Sequence, residues 1–109
     1  MPYILAIDQG TTSTTVLIID ENLHVCGSAS REFSQIYPQP DFVEHHPDEI
    51  WQSVLESIGT AIARARIDTR QIAAIGVTNQ RETTTVWERK TGTPVYNAIV
   101  WQCRRTTAL

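Results

Sequence analysis

The sequence predicts an α/β domain that opens with three antiparallel strands, crosses through one helix and returns to a parallel strand and further strands. Three observations carry this. Short apolar or β-branched runs at 3–8, 14–20 and 24–33 are separated by brief polar turns. One stretch, from Pro47 to about Arg66, repeats apolar residues at helical spacing. A second apolar run, IAAIGVT at 72–78, follows that stretch directly.

The run at 3–8 (YILAID) is short, apolar and ends in a polar turn, as a buried strand does. Gln9-Gly10-Thr11-Thr12-Ser13 forms the turn, and TTVLIID at 14–20 is rich in residues that favour the extended backbone. Glu21-Asn22 makes a tight connection to a third strand at 24–33. Connections this short require an antiparallel meander, because a parallel pair needs a crossover of about a dozen residues or more. Residues 34–46 hold Pro38 and Pro40 and read as a loop.

The helix is expected to begin with His46 at the cap position and Pro47 at its first position, with Asp48 and Glu49 in the first turn where the dipole favours acids. Ile50, Trp51, Val54, Leu55, Ile58, Ile62 and Ala65 would form one apolar face, leaving Gln52, Ser53, Glu56 and Thr60 opposite. Arg64 and Arg66 suit its C-terminal end. The helix supplies the crossover that lets the strand at 72–78 run parallel to its neighbour. Residues 83–88 alternate like a fifth strand, 90–94 form a turn, and 96–101 are a further apolar segment. The polar ending after Cys103 has neither a finished helix nor a cap, so the chain reads as cut rather than complete.

Composition narrows the function. With 109 residues there is room for one small domain. Apolar residues at 41% against 19% charged exclude a disordered chain. A net charge of −3 with no basic block gives no electrostatic reason to expect nucleic acid or an anionic membrane. No apolar run approaches the roughly 20 residues of a membrane span, and no basic segment precedes the first strand as in a signal peptide. Cys26 and Cys103 form no metal-binding spacing and read as reduced, unactivated thiols, so the cytoplasm is the expected compartment. His24, His45 and His46 lack ligand spacing and evident carboxylate partners, so no histidine metal site is expected.

Two segments could carry chemistry. Asp8-Gln-Gly-Thr-Thr-Ser13 has the makings of a phosphate grip: Gly10 permits close backbone approach, Thr11, Thr12 and Ser13 offer hydroxyls, and Asp8 can hold Mg²⁺ through water. The same residues also make an ordinary hairpin turn. Thr78-Asn-Gln-Arg-Glu-Thr83 lies at the C-terminal end of the parallel strand, where ligands of open α/β sheets gather. Arg81 only donates and Glu82 only accepts, and a polyol hydroxyl needs both. A solvated charge pair is the alternative. Trp101 could supply an apolar wall, whereas Trp51 and Trp87 are expected in the core or on sheet surfaces.

At these residues the chain resembles the glycerol kinases of the FGGY carbohydrate kinase family. AIDQGTTS, FVEHHPDEIW, IGVTNQRETTTVWE and TGTPVYNAIVWQCRRT carry the match, across nearly the whole chain. The resemblance implies a ribonuclease H-like, actin-like ATPase fold in two domains, of which residues 1–109 would be the N-terminal part of the first. It implies transfer of the γ-phosphoryl group of MgATP to a primary hydroxyl of glycerol, giving sn-glycerol 3-phosphate and ADP. By motif match Gly10, Thr11, Thr12 and Ser13 would face the nucleotide phosphates, Thr11 would also lie near the product phosphate, and Asp8 near the metal. Arg81 and Glu82 would bind the glycerol hydroxyls and Trp101 its carbons. No residue here matches the family's general-base aspartate, expected beyond Leu109, so this stretch alone is expected to be inactive. Thr15 stands where the family usually has arginine. A kinase for another sugar or polyol, or a non-metabolic actin-like ATPase module, would share the phosphate hairpin. The oligomeric state is left open, a homo-oligomer being one option.

Overall fold

The computed structural model describes residues 2–105. The expected polar ending at 106–109 lies outside the described residues. Strands β1 (Tyr3–Gln9), β2 (Ser13–Ile19) and β3 (Val25–Glu32) form the antiparallel meander. Helix α1 (Pro47–Ala65) then carries the chain back over the sheet to β5 (Ile72–Thr78), which pairs parallel with β1. The sheet order is β3-β2-β1-β5. This is the predicted α/β arrangement, with boundaries within a residue or so of those read from the sequence.

Helix α1 packs on one face of the sheet, chiefly over β2 and β3. Leu5, Val16, Ile18, Ala29 and Ala61 form the buried core, flanked by Ile58, Ile62, Ala65 and Ile67. Gly27 allows the closest approach of helix and sheet. A Cβ there would stand 2.5 Å from the Ala61 carbonyl oxygen and 2.7 Å from the Ala65 amide nitrogen. Beyond the reach of α1 the sheet is open: Ile75 and Val77, level with Leu5 and Ile7 on the helix-side face, are largely exposed, and so is Ile4 on the opposite face. β1 and β5 are therefore covered on one side at most, not buried as an apolar run suggests.

The buried face of α1 is rotated from the one expected. Ser53, Val54, Ser57 and Ala61 are buried, whereas Trp51 is 61% exposed and Leu55 44%. The reason is polar pairing across the helix–sheet seam. Ser53 Oγ lies 2.7 Å from the buried Thr14 Oγ1 and also donates to the Ile50 carbonyl, while Ser57 Oγ donates to the Thr14 carbonyl. Small hydroxyl residues fit the tight seam and satisfy each other there, so apolar count alone misplaces the stripe. His46 does occupy the cap position, but its side chain makes no cap hydrogen bond. Arg66 ends the helix in the left-handed conformation, its amide bonded to the Ile62 and Ala63 carbonyls.

Two short strands go beyond the sequence reading. The stretch at 34–46 contains a two-residue strand, β4 (Glu44–His45), and the apolar segment at 96–101 contains its partner, β6 (Ala98–Ile99). The alternating run at 83–88 is not a strand; it touches its neighbours only through single bridges, Thr84 to Ile99 and Trp87 to Pro94. Trp87 is 60% exposed and, with Trp51, lines an open hollow beside Pro47 and Pro94, so neither tryptophan belongs to the core. Among the described residues no helix is long and apolar enough to cross a membrane.

Candidate functional site

The register of the parallel pair places the site. Asp8 on β1 is aligned with Thr78 on β5, so both strands finish level. The chain leaves β1 into the Gly10 turn and leaves β5 into residues 79–83. Both turns consequently open on the same edge of the sheet, as expected for ligand sites of α/β folds.

There the structure brings the two motifs together. Gly10 and Thr11 from the first hairpin, Asn79, Gln80, Arg81 and Glu82 from the second turn, and Trp101 line one cleft of about 490 Å³. The hairpin is closed by the Gly10 amide, which donates to the Ser13 carbonyl at 2.9 Å. That amide is spent inside the turn, so the glycine serves compactness here: a Cβ would stand 3.1 Å from the same carbonyl oxygen. Thr11 Oγ1 accepts a hydrogen bond of 3.0 Å from Trp101 Nε1, which leaves the threonine hydroxyl proton free to donate outward.

Arg81 and Glu82 are exposed, and among the described residues neither side chain has a hydrogen-bond partner. Glu82 has φ +65°. A left-handed conformation costs a residue with a Cβ roughly 1–2 kcal/mol, and such strain gathers at ligand sites. Trp101 is 53% exposed, with its indole standing over the cleft.

The remaining candidates fall elsewhere. Thr12 is exposed and Ser13 begins β2; neither lines this cleft. Asp8 points to the other face of β1, into a shallow apolar trough with Thr15 and Thr78. Thr15 is the direct cross-strand partner of Asp8, and its hydroxyl lies 3.1 Å from Ser30 Oγ. Among the described residues no three acidic, histidine or cysteine side chains converge as a metal cage.

A layer of uncharged polar side chains, missed from the sequence, backs the cleft. His45 is fully buried. Its Nε2 lies 2.7 Å from Gln35 Oε1, and its Nδ1 lies 3.3 Å from Gln80 Nε2. Gln80 also donates to Gln9 Oε1 at 3.2 Å and accepts from the Thr83 hydroxyl at 3.0 Å. Gln35 Nε2 donates to the Thr11 carbonyl at 3.0 Å. Burial holds the His45 imidazole below its ordinary value of 6.5, against the opposing pull of Glu49. Only NQRET carried a hint of this layer, since its glutamine sits beside the charged pair.

Further from the cleft, buried Glu44 takes hydrogen bonds from Arg105 and Asn97 Nδ2. Burial pushes the Glu44 carboxyl up, but those donors outweigh it and hold it below the ordinary range. Cys103 is not unactivated as expected: burial raises its thiol, yet Arg105 Nε at 3.0 Å from Sγ brings the balance below the usual value. Two histidines have carboxylate neighbours after all, His24 with Asp20 at 3.5 Å and His46 with Glu49 at 3.9 Å.

Residues 3–109 match the N-terminal domain of the FGGY family of carbohydrate kinases. The chain is 58% identical over its whole length to glycerol kinase from Borrelia duttonii (strain Ly), of which it spans 22%. It is 58% identical over 106 residues to glycerol kinase from Rhizobium rhizogenes, spanning 21% of that protein. Among solved structures, it superposes on Plasmodium falciparum glycerol kinase with ADP at a TM-score of 0.88 and 37% identity, over 99% of this chain and 22% of that one. Gluconate kinase from Lactobacillus acidophilus follows the same path at a TM-score of 0.83 and 27% identity, over 94% of this chain and 20% of that one. The chain thus spans about a fifth of the length of the relatives it matches.

Proposed function

The chain belongs to the FGGY family of carbohydrate kinases, and from that premise we propose that it is the N-terminal part of the first domain of a glycerol kinase. The full-length enzyme transfers the γ-phosphoryl group of ATP to a primary hydroxyl of glycerol, giving sn-glycerol 3-phosphate and ADP. One observation supports this above the rest: Thr11 of the hairpin and the Arg81–Glu82 pair share a single cleft walled by Trp101. A cleft that joins a phosphate donor to a polyol acceptor needs this juxtaposition, because phosphoryl transfer is mostly positioning and charge stabilisation.

Within it, Arg81 donates to glycerol oxygens and Glu82 accepts from glycerol hydroxyls, so each hydroxyl finds both kinds of partner. The Trp101 ring covers the carbon chain. Thr11 donates its free hydroxyl proton toward the transferring phosphoryl group, and Thr12 and Ser13 face the nucleotide phosphates from the outer side of the turn. Asp8 offers one exposed carboxylate, which suits a hydrated Mg²⁺ that takes most of its ligands from phosphate and water. When bound, that ion neutralises phosphate charge. The base that takes the hydroxyl proton is assigned to none of these residues and is expected beyond Leu109.

Coupled ADP release by the full-length protein tests the assignment, with glycerol, D-xylulose and gluconate offered in turn. Glycerol should be preferred by a wide margin, and Arg81→Ala should lower kcat/KM for glycerol by about tenfold or more. Turnover with xylulose or gluconate in preference to glycerol would overturn the substrate assignment.

A further inference from the structure

The cleft is assembled from two turns that share no covalent frame near the site, and one buried side chain reaches toward both. His45 lies on the two-residue strand β4, out of the cleft and out of solvent. Its ring meets Phe33 edge-on, with centroids 4.8 Å apart, so its plane is fixed by packing.

The hydrogen-bond inventory around it closes in only one way. The Gln80 amide group has two protons, one directed at Gln9 Oε1 and one at His45 Nδ1. The carbonyl end of Gln80 is taken by the Thr83 hydroxyl. His45 Nδ1 is therefore an acceptor, and His45 Nε2–H donates to Gln35 Oε1 at 2.7 Å. The ring is the neutral Nε2–H tautomer, and it divides two arms. Through Nδ1 it holds Gln80, the neighbour of Arg81 and Glu82, and beyond it Thr83, whose hydroxyl accepts from the Trp101 amide at 3.3 Å. Through Nε2 it holds Gln35, whose amide fixes the Thr11 carbonyl.

We infer that His45 is a positioning residue that sets the polyol-binding turn chiefly through Nδ1 and the phosphate hairpin chiefly through Nε2. The inference rests on the glycerol kinase reading of the cleft, since the two arms are named by what each turn binds. It assigns His45 no contact with either substrate.

The two nitrogens can be tested separately in the full-length enzyme. Asparagine places its amide oxygen near the Nδ1 position and keeps an acceptor for Gln80. Glutamine places its amide nitrogen near the Nε2 position and keeps a donor for Gln35. His45→Asn should leave KM for glycerol within about twofold while raising KM for ATP about tenfold, and His45→Gln should do the reverse, since each leaves one buried partner unmatched. His45→Ala should lose both. If the His45 variants do not accumulate as folded protein, Gln35→Met and Thr83→Val cut the same two arms at half-buried positions, and the same crossed pattern is expected. Two variants that move both KM values together, or move neither, would overturn the inference. Arg81→Ala, measured in the same series, separates the two readings: if it leaves glycerol efficiency unchanged, the assignment of the cleft falls instead.

Discussion

Trp101 Nε1 donates to Thr11 Oγ1 across 3.0 Å, joining residues ninety positions apart in the chain. The bond ties the apolar wall of the cleft to the hydroxyl nearest the phosphate side. Under the proposed glycerol kinase reading, the indole would act on both substrates, on one through its ring face and on the other through its N–H.

Trp101→Phe keeps most of the wall and removes only the N–H. A net hydrogen bond is worth about 0.5–1.5 kcal/mol. Efficiency with ATP should fall by up to about tenfold, while KM for glycerol changes little. Trp101→Ala should add a rise in KM for glycerol. Steady-state kinetics with each substrate varied in turn reads both effects. Unchanged efficiency with ATP in Trp101→Phe would show that the Thr11 bond carries nothing.

Glu82 sits at φ +65°, a conformation glycine adopts without strain. Glu82→Gly should therefore stabilise the fold by up to about 1 kcal/mol, after the greater freedom of glycine in the unfolded chain is allowed for. It should also depress glycerol kcat/KM by more than about tenfold through loss of the acceptor. A higher melting temperature together with lower activity is the expected pair. A variant that loses stability would show that Glu82 is held by something other than function.

Gly27 touches the backbone of α1 at Ala61 and Ala65, and backbone cannot move aside as a side-chain end can. Gly27→Ala should cost about 1–3 kcal/mol, the usual range for overpacking. Thermal unfolding of the full-length protein would show this as a lowered midpoint. Kinetic constants of the fraction that folds should be little changed, because the seam lies away from the cleft.

His45 is held neutral below its ordinary value of 6.5. The unfolded chain binds a proton at His45 as pH falls through 6.5 while the folded chain resists, so stability rises with pH in that window. The contribution is present in full above pH 6.5 and is lost as pH falls from there toward the folded value. Protonation would also set an N–H of the ring against the Gln80 amide. Melting temperature followed from pH 7.5 to 5 should drop for the wild type and drop less for His45→Asn. Parallel curves would mean that the ring accepts the proton without cost.

Much of the frame was legible because periodicity reports directly on backbone. The meander, the helix start at Pro47 and the strand Ile72–Thr78 all follow from apolar spacing and turn chemistry. The helix face was not, since Ser53 and Ser57 are buried by pairing with Thr14, and a hydroxyl looks solvent-facing until its partner is known. β4 and β6 were hidden because two-residue strands have no period. In the cleft, Thr11, Arg81, Glu82 and Trp101 were legible from charge, hydroxyls and motif. His45, Gln35 and Gln80 were not, because neutral amides and a lone imidazole carry no sign of their role until distance pairs them.

Among the described residues β5 stands at the edge of the sheet, hydrogen-bonded to β1 on one side only. Its sequence, IAAIGVT, has no charge and no proline, and Ile75 and Val77 are largely exposed. Natural edge strands are usually guarded by charge, proline or a covering element, because an unguarded edge recruits further strands. A polypeptide limited to these 109 residues would therefore self-associate through β5, and its working concentration would be set by solubility. Lysine in place of Ala73 or Ala74 would be the natural gatekeeper for handling it in solution.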